Sequence, residues 1–155
     1  MNRVQLNDLA DTEKFGRALA ELARAGDLIC LEGDLGAGKT TLVQAIARGV
    51  GVEGWVSSPS FAILHEYSGR LPLYHLDFYR LNSSDEIIEI GLDEYFATQG
   101  LTVIEWAERA DEILPREKIC LSLHHTGECT RLVEITASAG FGDRLETLFR
   151  AFATP

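Results

Sequence analysis

The sequence predicts an α/β fold with a mixed β-sheet, and three observations support this prediction. Short apolar runs alternate with segments whose apolar residues recur at helical spacing. The run at residues 27–32 is almost continuously apolar, as expected for a parallel strand buried on both faces. Two further pairs of apolar runs are each joined by a short turn, which predicts antiparallel hairpins beside the parallel strands.

The first third of the chain reads as strand, helix, strand and helix. A short strand is predicted at residues 3–6, followed by a helix with Asp11 as its N-cap and Gly26 at its end. The strand at residues 27–32 leads directly into a glycine-rich turn, and the next helix is predicted to reach about Arg48.

The remainder of the chain contains two predicted hairpins and several helical segments. The strand predictions are residues 61–67 paired with 71–77, a single strand at 101–104, and 118–125 paired with 130–136. The helical predictions are a short helix from near Asp85 to Gly91, a turn at 93–96, and a terminal helix at 142–152. No repeat or linker interrupts this order, so a single domain is predicted over residues 1–155.

The composition narrows the class of protein. The chain is 46% hydrophobic and 25% charged, which is typical of a folded protein. Its net charge of −10 argues against direct contact with nucleic acid, because that affinity depends on Lys and Arg displacing counterions from phosphates. No run of apolar residues approaches the roughly 18–20 needed to span a membrane, and no signal peptide is evident, so we expect a cytoplasmic protein.

One motif carries a specific chemistry. Residues 33–40 fit G-x-x-x-x-G-K-[ST] without a mismatch and lie between a predicted strand and a predicted helix. Backbone N–H groups of such a loop surround phosphate oxygens, Lys39 would reach the β and γ phosphates, and the Thr40 hydroxyl would bind Mg²⁺. The N-K-x-D element of GTP-specific proteins is missing, since its nearest equivalent at residues 82–85 lacks the lysine, and ATP is therefore favoured.

Two acids compete for the role of metal anchor. Asp77 and Glu105 each end an apolar run, and the carboxyl ends of strands in an open α/β sheet deliver residues to the ligand. The structural alternatives are that Asp77 caps the segment near Tyr79, or that Glu105 pairs with Arg109. Strand direction decides whether Asp77 lies at the nucleotide end. Both acids could also face the nucleotide, one as the metal anchor and the other to orient the attacking water or complete the metal shell.

Two further residues are candidates near the nucleotide. Ser60 lies in a Ser- and Pro-rich loop where nucleotide switches place a hydroxyl, although a surface turn has the same composition. Trp106, directly after Glu105, is either a core aromatic residue or a lid beside the site.

These motifs together resemble a known family. The segments GDLGAGKTTL, SSPSFAILHEY, LYHLDFYRL and IEWAER, with a GL-D-EY element at residues 91–95, are similar in kind and order to the TsaE (YjeE) family of bacterial P-loop ATPases. The resemblance covers mainly residues 11–110. It implies the P-loop NTPase fold, with a mixed, mostly parallel central sheet flanked by helices and extended by antiparallel hairpins.

The resemblance also implies a function. Family members are ATPases that use Mg²⁺ and support threonylcarbamoyladenosine formation at position 37 of tRNA, together with the partner proteins TsaB and TsaD. Activity of the isolated protein is expected to be weak and dependent on the partners. Docking on a protein partner also fits the acidic composition, so no direct tRNA binding is expected.

The family roles transfer to individual residues. Asp77 and Lys39 become the catalytic candidates, with Asp77 near the γ phosphate, and Thr40 and Glu105 become the metal ligands. Ser60 stands where many members have threonine and keeps the hydroxyl. The expected nucleotide-binding residues are Gly33, Asp34, Leu35, Gly36, Ala37, Gly38, Lys39, Thr40, Thr41, Ser60 and Trp106.

Two rival functions remain open from the sequence. A P-loop small-molecule kinase would transfer phosphate to a metabolite without a partner protein, but no obvious lid insertion is present. A nucleotide-dependent binding switch would keep its pathway function in an Asp77→Ala variant that has lost hydrolysis.

Overall fold

The structure is a computed structural model that describes residues 2–34, 36–54, 56–57, 64–96 and 99–152. The strands are β1 (Asn2–Leu6), β2 (Leu28–Glu32), β3 (Leu64–Tyr67), β4 (Leu73–Asp77), β5 (Leu101–Glu105), β6 (Ile119–His125) and β7 (Arg131–Ala137). The α-helices are α1 (Leu9–Leu22), α2 (Lys39–Gly49), α3 (Asp85–Ile90) and α4 (Gly142–Phe152). Short 3₁₀ segments occupy Leu92–Tyr95, Ala107–Ile113 and Ala139–Phe141.

The described strands form one seven-stranded mixed sheet in the order β1-β7-β6-β2-β5-β4-β3. The four central strands β6, β2, β5 and β4 are mutually parallel, whereas β1 and β7 at one edge and β3 at the other pair antiparallel. The predicted α/β class, with a mostly parallel sheet flanked by helices and extended by hairpins, is therefore confirmed.

Strand β4 runs in the direction that brings both acids to the same edge. In the hairpin of β3 and β4, β3 is the strand that runs antiparallel to the central strands, and β4 is parallel to β5. Asp77 is the direct register partner of Glu105, so both carboxylates leave the sheet at its carboxyl edge and on one face. The hairpin therefore does not separate the two acids.

The central strands β2, β4 and β5 are buried on both faces, and their successive residues point to opposite sides. On β2, Ile29 and Leu31 belong to the apolar core under α1, α2 and α4, whereas Leu28 and Cys30 belong to the core under α3 and the first two 3₁₀ segments. His75, Asp77 and Glu105 alternate in the same sense and lie on the α2 face. The site thus faces the helix that follows the glycine-rich turn.

The start of α1 differs from the prediction. Asp8, rather than Asp11, is the N-cap, since its Oδ1 accepts the Asp11 N–H at 2.8 Å. The Asp11 carboxylate in turn accepts the Asn7 N–H at 2.9 Å, so the two aspartates satisfy neighbouring backbone donors reciprocally.

Among the described residues, no helix combines the length and apolar character that crossing a bilayer requires.

Candidate active site

The glycine-rich turn between β2 and α2 adopts a backbone that few side chains permit. Gly33, Gly36 and Gly38 have φ angles of 141°, 80° and 101°, in the region that favours glycine. A Cβ at Gly33 would lie 2.6 Å from the carbonyl oxygen of Leu123 on β6. The loop therefore packs its backbone directly against β6 and turns its last residues into the N-terminus of α2.

The side chain of Lys39, the first residue of α2, folds back over this loop. Its Nζ donates to the carbonyl oxygens of Gly33 and Asp34 at 2.5 and 2.9 Å and lies 4.0 Å from the centre of the Trp106 ring. Only 4% of the residue is exposed. This burial lowers the pKa of the Lys39 ammonium, and the nearby acids, Glu105 first among them, oppose the shift.

Thr40 and Glu105 meet at the opening of α2 even though they are far apart in the chain. The Thr40 hydroxyl donates to Oε1 of Glu105 at 2.8 Å, and the other oxygen, Oε2, lies 2.6 Å from Nε2 of His75. Glu105 is 3% exposed and His75 is fully buried. Both Glu105 oxygens are thus held by side chains, and an Arg109 partnership is not what orients this carboxylate.

Asp77 lies beside Glu105 in a different hydrogen-bonding environment. Its Oδ1 accepts the backbone N–H of Tyr79 at 2.9 Å, which is the local capping contact considered above. Asp77 is 7% exposed and lines the same cavity as Lys39. Its negative charge is one of those that oppose the lowering of the Lys39 pKa. The capping contact therefore fixes Asp77 without removing it from the site.

Trp106 adopts a left-handed backbone conformation with φ 59° and ψ 38°, and it is the one non-glycine residue with positive φ in the described part of the chain. Such a conformation costs a residue with a Cβ about 1–2 kcal/mol. It turns the ring directly after β5 so that the ring covers Lys39, with the Tyr79 ring 4.9 Å away. A strained residue at this point is consistent with a role in the site.

These residues surround one cavity of about 380 Å³. Its lining includes most of the residues expected from the sequence: Gly36, Gly38, Lys39, Thr40, Thr41, Asp77, Glu105 and Trp106. Gly33 and Asp34 contribute through their carbonyl contacts with Lys39, and Ala37 lines a neighbouring cavity. Leu35 and Ser60 lie outside the described residues, and the roles predicted for all of these residues remain predictions.

Comparison with known proteins identifies the family. The profile of the family described as "Threonylcarbamoyl adenosine biosynthesis protein TsaE" matches residues 6–133. The chain belongs to the TsaE family. The resemblance inferred from the sequence motifs is therefore confirmed.

Family relatives align along most of the chain. The tRNA threonylcarbamoyladenosine biosynthesis protein TsaE of Bacillus subtilis is 43% identical, over 89% of this chain and 85% of its own length. The protein of that name from Streptomyces coelicolor is 40% identical, over 86% of this chain and 93% of its own. The crystal structure of Bacillus subtilis YdiB superposes with a TM-score of 0.83 at 36% identity, covering 97% of this chain and 95% of that one.

Arg131 is a site residue of this TsaE family member that the sequence did not reveal. It begins β7, lines the cavity and donates from Nε to the carbonyl oxygen of Ala37 at 3.0 Å. Its Nη1 donates to the Thr130 carbonyl oxygen at 2.9 Å, with longer contacts to those of Gly127 and Glu128. One guanidinium thereby ties the β6–β7 turn to the glycine-rich loop, and no local motif marks it.

Proposed function

We propose that this protein is an ATP-hydrolysing subunit that supports threonylcarbamoyladenosine modification of tRNA together with TsaB and TsaD. The family assignment places it in threonylcarbamoyladenosine biosynthesis. The observation that carries the ATPase proposal is the convergence of the glycine-rich loop, Thr40, Glu105 and Asp77 on one cavity. A phosphate-binding loop beside two strand-end acids is the arrangement that P-loop nucleotide hydrolysis uses.

The Thr40–Glu105 pair fits a Mg²⁺ ion. Both groups are oxygen donors, their oxygens are 2.8 Å apart, and they border the cavity that the loop encloses. Mg²⁺ prefers hard oxygen ligands, commonly one or two from the protein together with waters and phosphate oxygens. A Mg²⁺ ion bound there would neutralise negative charge on the phosphates of the nucleotide.

Lys39 and Asp77 supply the remaining groups that the reaction needs. Hydrolysis adds water to the γ phosphorus and breaks its bond to the bridging oxygen, which leaves ADP and inorganic phosphate. The Lys39 ammonium would leave its two carbonyl partners and donate to the phosphate oxygens as their charge increases. The Asp77 carboxylate, fixed by the Tyr79 amide, would orient the attacking water.

A second cavity, of about 230 Å³, would hold the nucleoside end of ATP. Both acids lie on the β5 and β4 side of the loop, so the opposite end of the nucleotide would extend toward β6 and β7. This cavity lies there and shares Gly38, Thr41 and Arg131 with the first. Its apolar lining includes Leu6 and Leu9. An apolar pocket with a few polar groups suits a base and ribose.

The test is the rate of ATP hydrolysis by the purified protein, alone and with the purified TsaB–TsaD pair. We expect slow hydrolysis alone and a clear increase with the pair, both lost in Asp77→Asn. Transfer of phosphate to a metabolite without the pair would instead support the kinase alternative. Absence of stimulation by the pair, with hydrolysis unaffected by Asp77→Asn, would refute the proposal.

The binding of tRNA gives an independent check on how the protein acts. Because the net charge is −10, we expect no salt-sensitive binding of tRNA to the isolated protein. Micromolar binding at physiological salt, measured by filter retention or fluorescence anisotropy, would contradict action through a protein partner.

A further inference from the structure

His75 is a buried polar residue whose only described hydrogen-bond partner is Glu105. Its side chain is fully buried in the middle of β4, between the buried Leu73 and Leu76. Nε2 lies 2.6 Å from Oε2 of Glu105, whereas the buried Nδ1 has no hydrogen-bond partner among the residues that the structure describes. A leucine at this position would itself bring no polar atom into the core, so core packing alone does not account for a histidine.

The two ring nitrogens differ in a way that defines the hydrogen bond. An ionised carboxylate can only accept, so Nε2 must carry the hydrogen in the contact with Glu105. The neutral ring protonated at Nε2 leaves only a lone pair on Nδ1, for which the described residues offer no partner. The described contacts therefore favour one tautomer, in which His75 is a fixed donor to Glu105.

This donor holds one oxygen of Glu105 and directs the other toward α2. With Oε2 engaged by His75, Oε1 faces the Thr40 hydroxyl at 2.8 Å. We propose that His75 is a positioning residue that orients the Glu105 carboxylate for a divalent cation shared with Thr40. This inference rests on the proposed function, because it assigns a role to a neighbour of the proposed cation site.

The variants that test it separate the donor from the volume of the ring. His75→Leu keeps an apolar volume and removes the donor. His75→Gln places an amide N–H near the position of Nε2, whereas His75→Asn places its amide near that of Nδ1, too short to reach Glu105. A role in positioning therefore predicts rescue by glutamine alone.

The measurement is ATP binding by calorimetry, first in EDTA and then across a Mg²⁺ titration. We expect the metal-free ATP affinity of all three variants to match that of the wild type. The Mg²⁺ concentration for half-maximal effect should rise roughly 10-fold or more in His75→Leu and His75→Asn, the usual result of losing an outer partner of a metal ligand. His75→Gln should remain close to the wild type.

His65 provides a matched control on the neighbouring strand. It is the register partner of His75, but its Nδ1 lies 3.1 Å from the hydroxyl of Tyr67. His65→Leu should leave the Mg²⁺ dependence unchanged. In the wild-type protein, ¹⁵N NMR should show the His75 ring protonated at Nε2 and unprotonated at Nδ1, a readout that needs neither substitution nor nucleotide.

The outcomes distinguish the two proposals. If wild-type protein binds ATP with no effect of Mg²⁺, the proposed cation site fails, and with it the role of His75. If the wild type responds to Mg²⁺ and His75→Leu and His75→Asn respond equally, the positioning role alone is refuted. If His75→Leu does not fold, two other results would still overturn the positioning role. One is a hydrogen on Nδ1 in the wild-type protein, and the other is an equal Mg²⁺ response of His75→Gln and His75→Asn.

Discussion

Replacing Lys39 by methionine tests the proposed phosphate contact most directly. Methionine keeps much of the length and apolar volume of the side chain and removes the ammonium. In the structure this ammonium is already engaged by the carbonyl oxygens of Gly33 and Asp34 and by the Trp106 ring. Binding of ATP would therefore exchange one set of partners for another.

The size of the expected effect follows from that exchange. Hydrogen bonds to charged groups contribute about 1.5–3 kcal/mol each, so two entirely new bonds to phosphate would give about 3–6 kcal/mol. The lysine gives up two carbonyl partners, so we take a net gain of about 1 kcal/mol for each bond. The sum of about 2 kcal/mol predicts ATP binding weaker by roughly 30-fold in Lys39→Met.

Calorimetric titration with ATP measures this effect, and Lys14 provides the matched control. Its ammonium lies 5.2 Å from the centre of the Phe152 ring, so Lys14→Met also removes a cation from an aromatic face, outside both cavities. We expect Lys14→Met to bind ATP like the wild type. A loss below about threefold in Lys39→Met would refute the phosphate contact, and one above roughly 1000-fold would refute the exchange of partners.

The wild type and Lys39→Met should differ in how their free energy of unfolding depends on pH. Because burial lowers the pKa of Lys39 in the folded state, the unfolded state binds more protons between that pKa and the ordinary lysine value. The free energy of unfolding of the wild type should therefore rise relative to Lys39→Met as pH increases through this interval. Urea unfolding at several alkaline pH values measures the difference, and a fall with increasing pH would contradict the burial effect.

Two further predictions concern the packing of α1 on α2. The hydrogen bond from Arg48 lowers the pKa of Glu13 from 4.5 to about 2, so the pair stabilises the fold above pH 4.5 and is lost as pH falls toward 2. In urea unfolding, Glu13→Gln should lower the free energy of unfolding by about 0.5–1 kcal/mol at neutral pH, a small value because the pair is partly exposed. A difference from the wild type that is the same at pH 2 would contradict this explanation. A Cβ at Gly16 would lie 2.4 Å from that of Ala45, so Gly16→Ala should destabilise the protein by about 1–3 kcal/mol. At Gly142, the first residue of α4, an added Cβ would meet no atom within 4 Å, so Gly142→Ala should stabilise the protein by about 0.4–1 kcal/mol. A stability change of the same sign in both variants would contradict the packing explanation.

The elements predicted best from the sequence are those fixed by neighbouring residues. The glycine-rich turn, β2 and α2 follow from local backbone freedom and apolar spacing, and the structure has them where they were expected. The start of α1 was predicted one turn late. Asp8 and Asp11 both suit a cap, and the choice between them depends on where β1 ends and how the chain leaves the sheet.

The relation between the two acids was not available from local sequence. Asp77 and Glu105 end similar apolar runs, and only the register of β4 on β5 shows that they are direct neighbours. The difference lies in their partners, since Glu105 meets Thr40 and His75 whereas Asp77 accepts the Tyr79 amide. Arg131 likewise reaches the loop from 94 residues away.

The sequence by itself determined the alternation of strands and helices, the glycine-rich loop that presents N–H groups to an anion, and a set of motifs specific enough to indicate the family. These properties depend on short-range sterics, periodicity and motif spacing. The tertiary structure decided which side chains meet: Glu105 with Thr40 and His75, and Arg131 with the loop. The physical reason is that such contacts depend on strand order and register, which burial of the whole sheet determines and no single segment encodes.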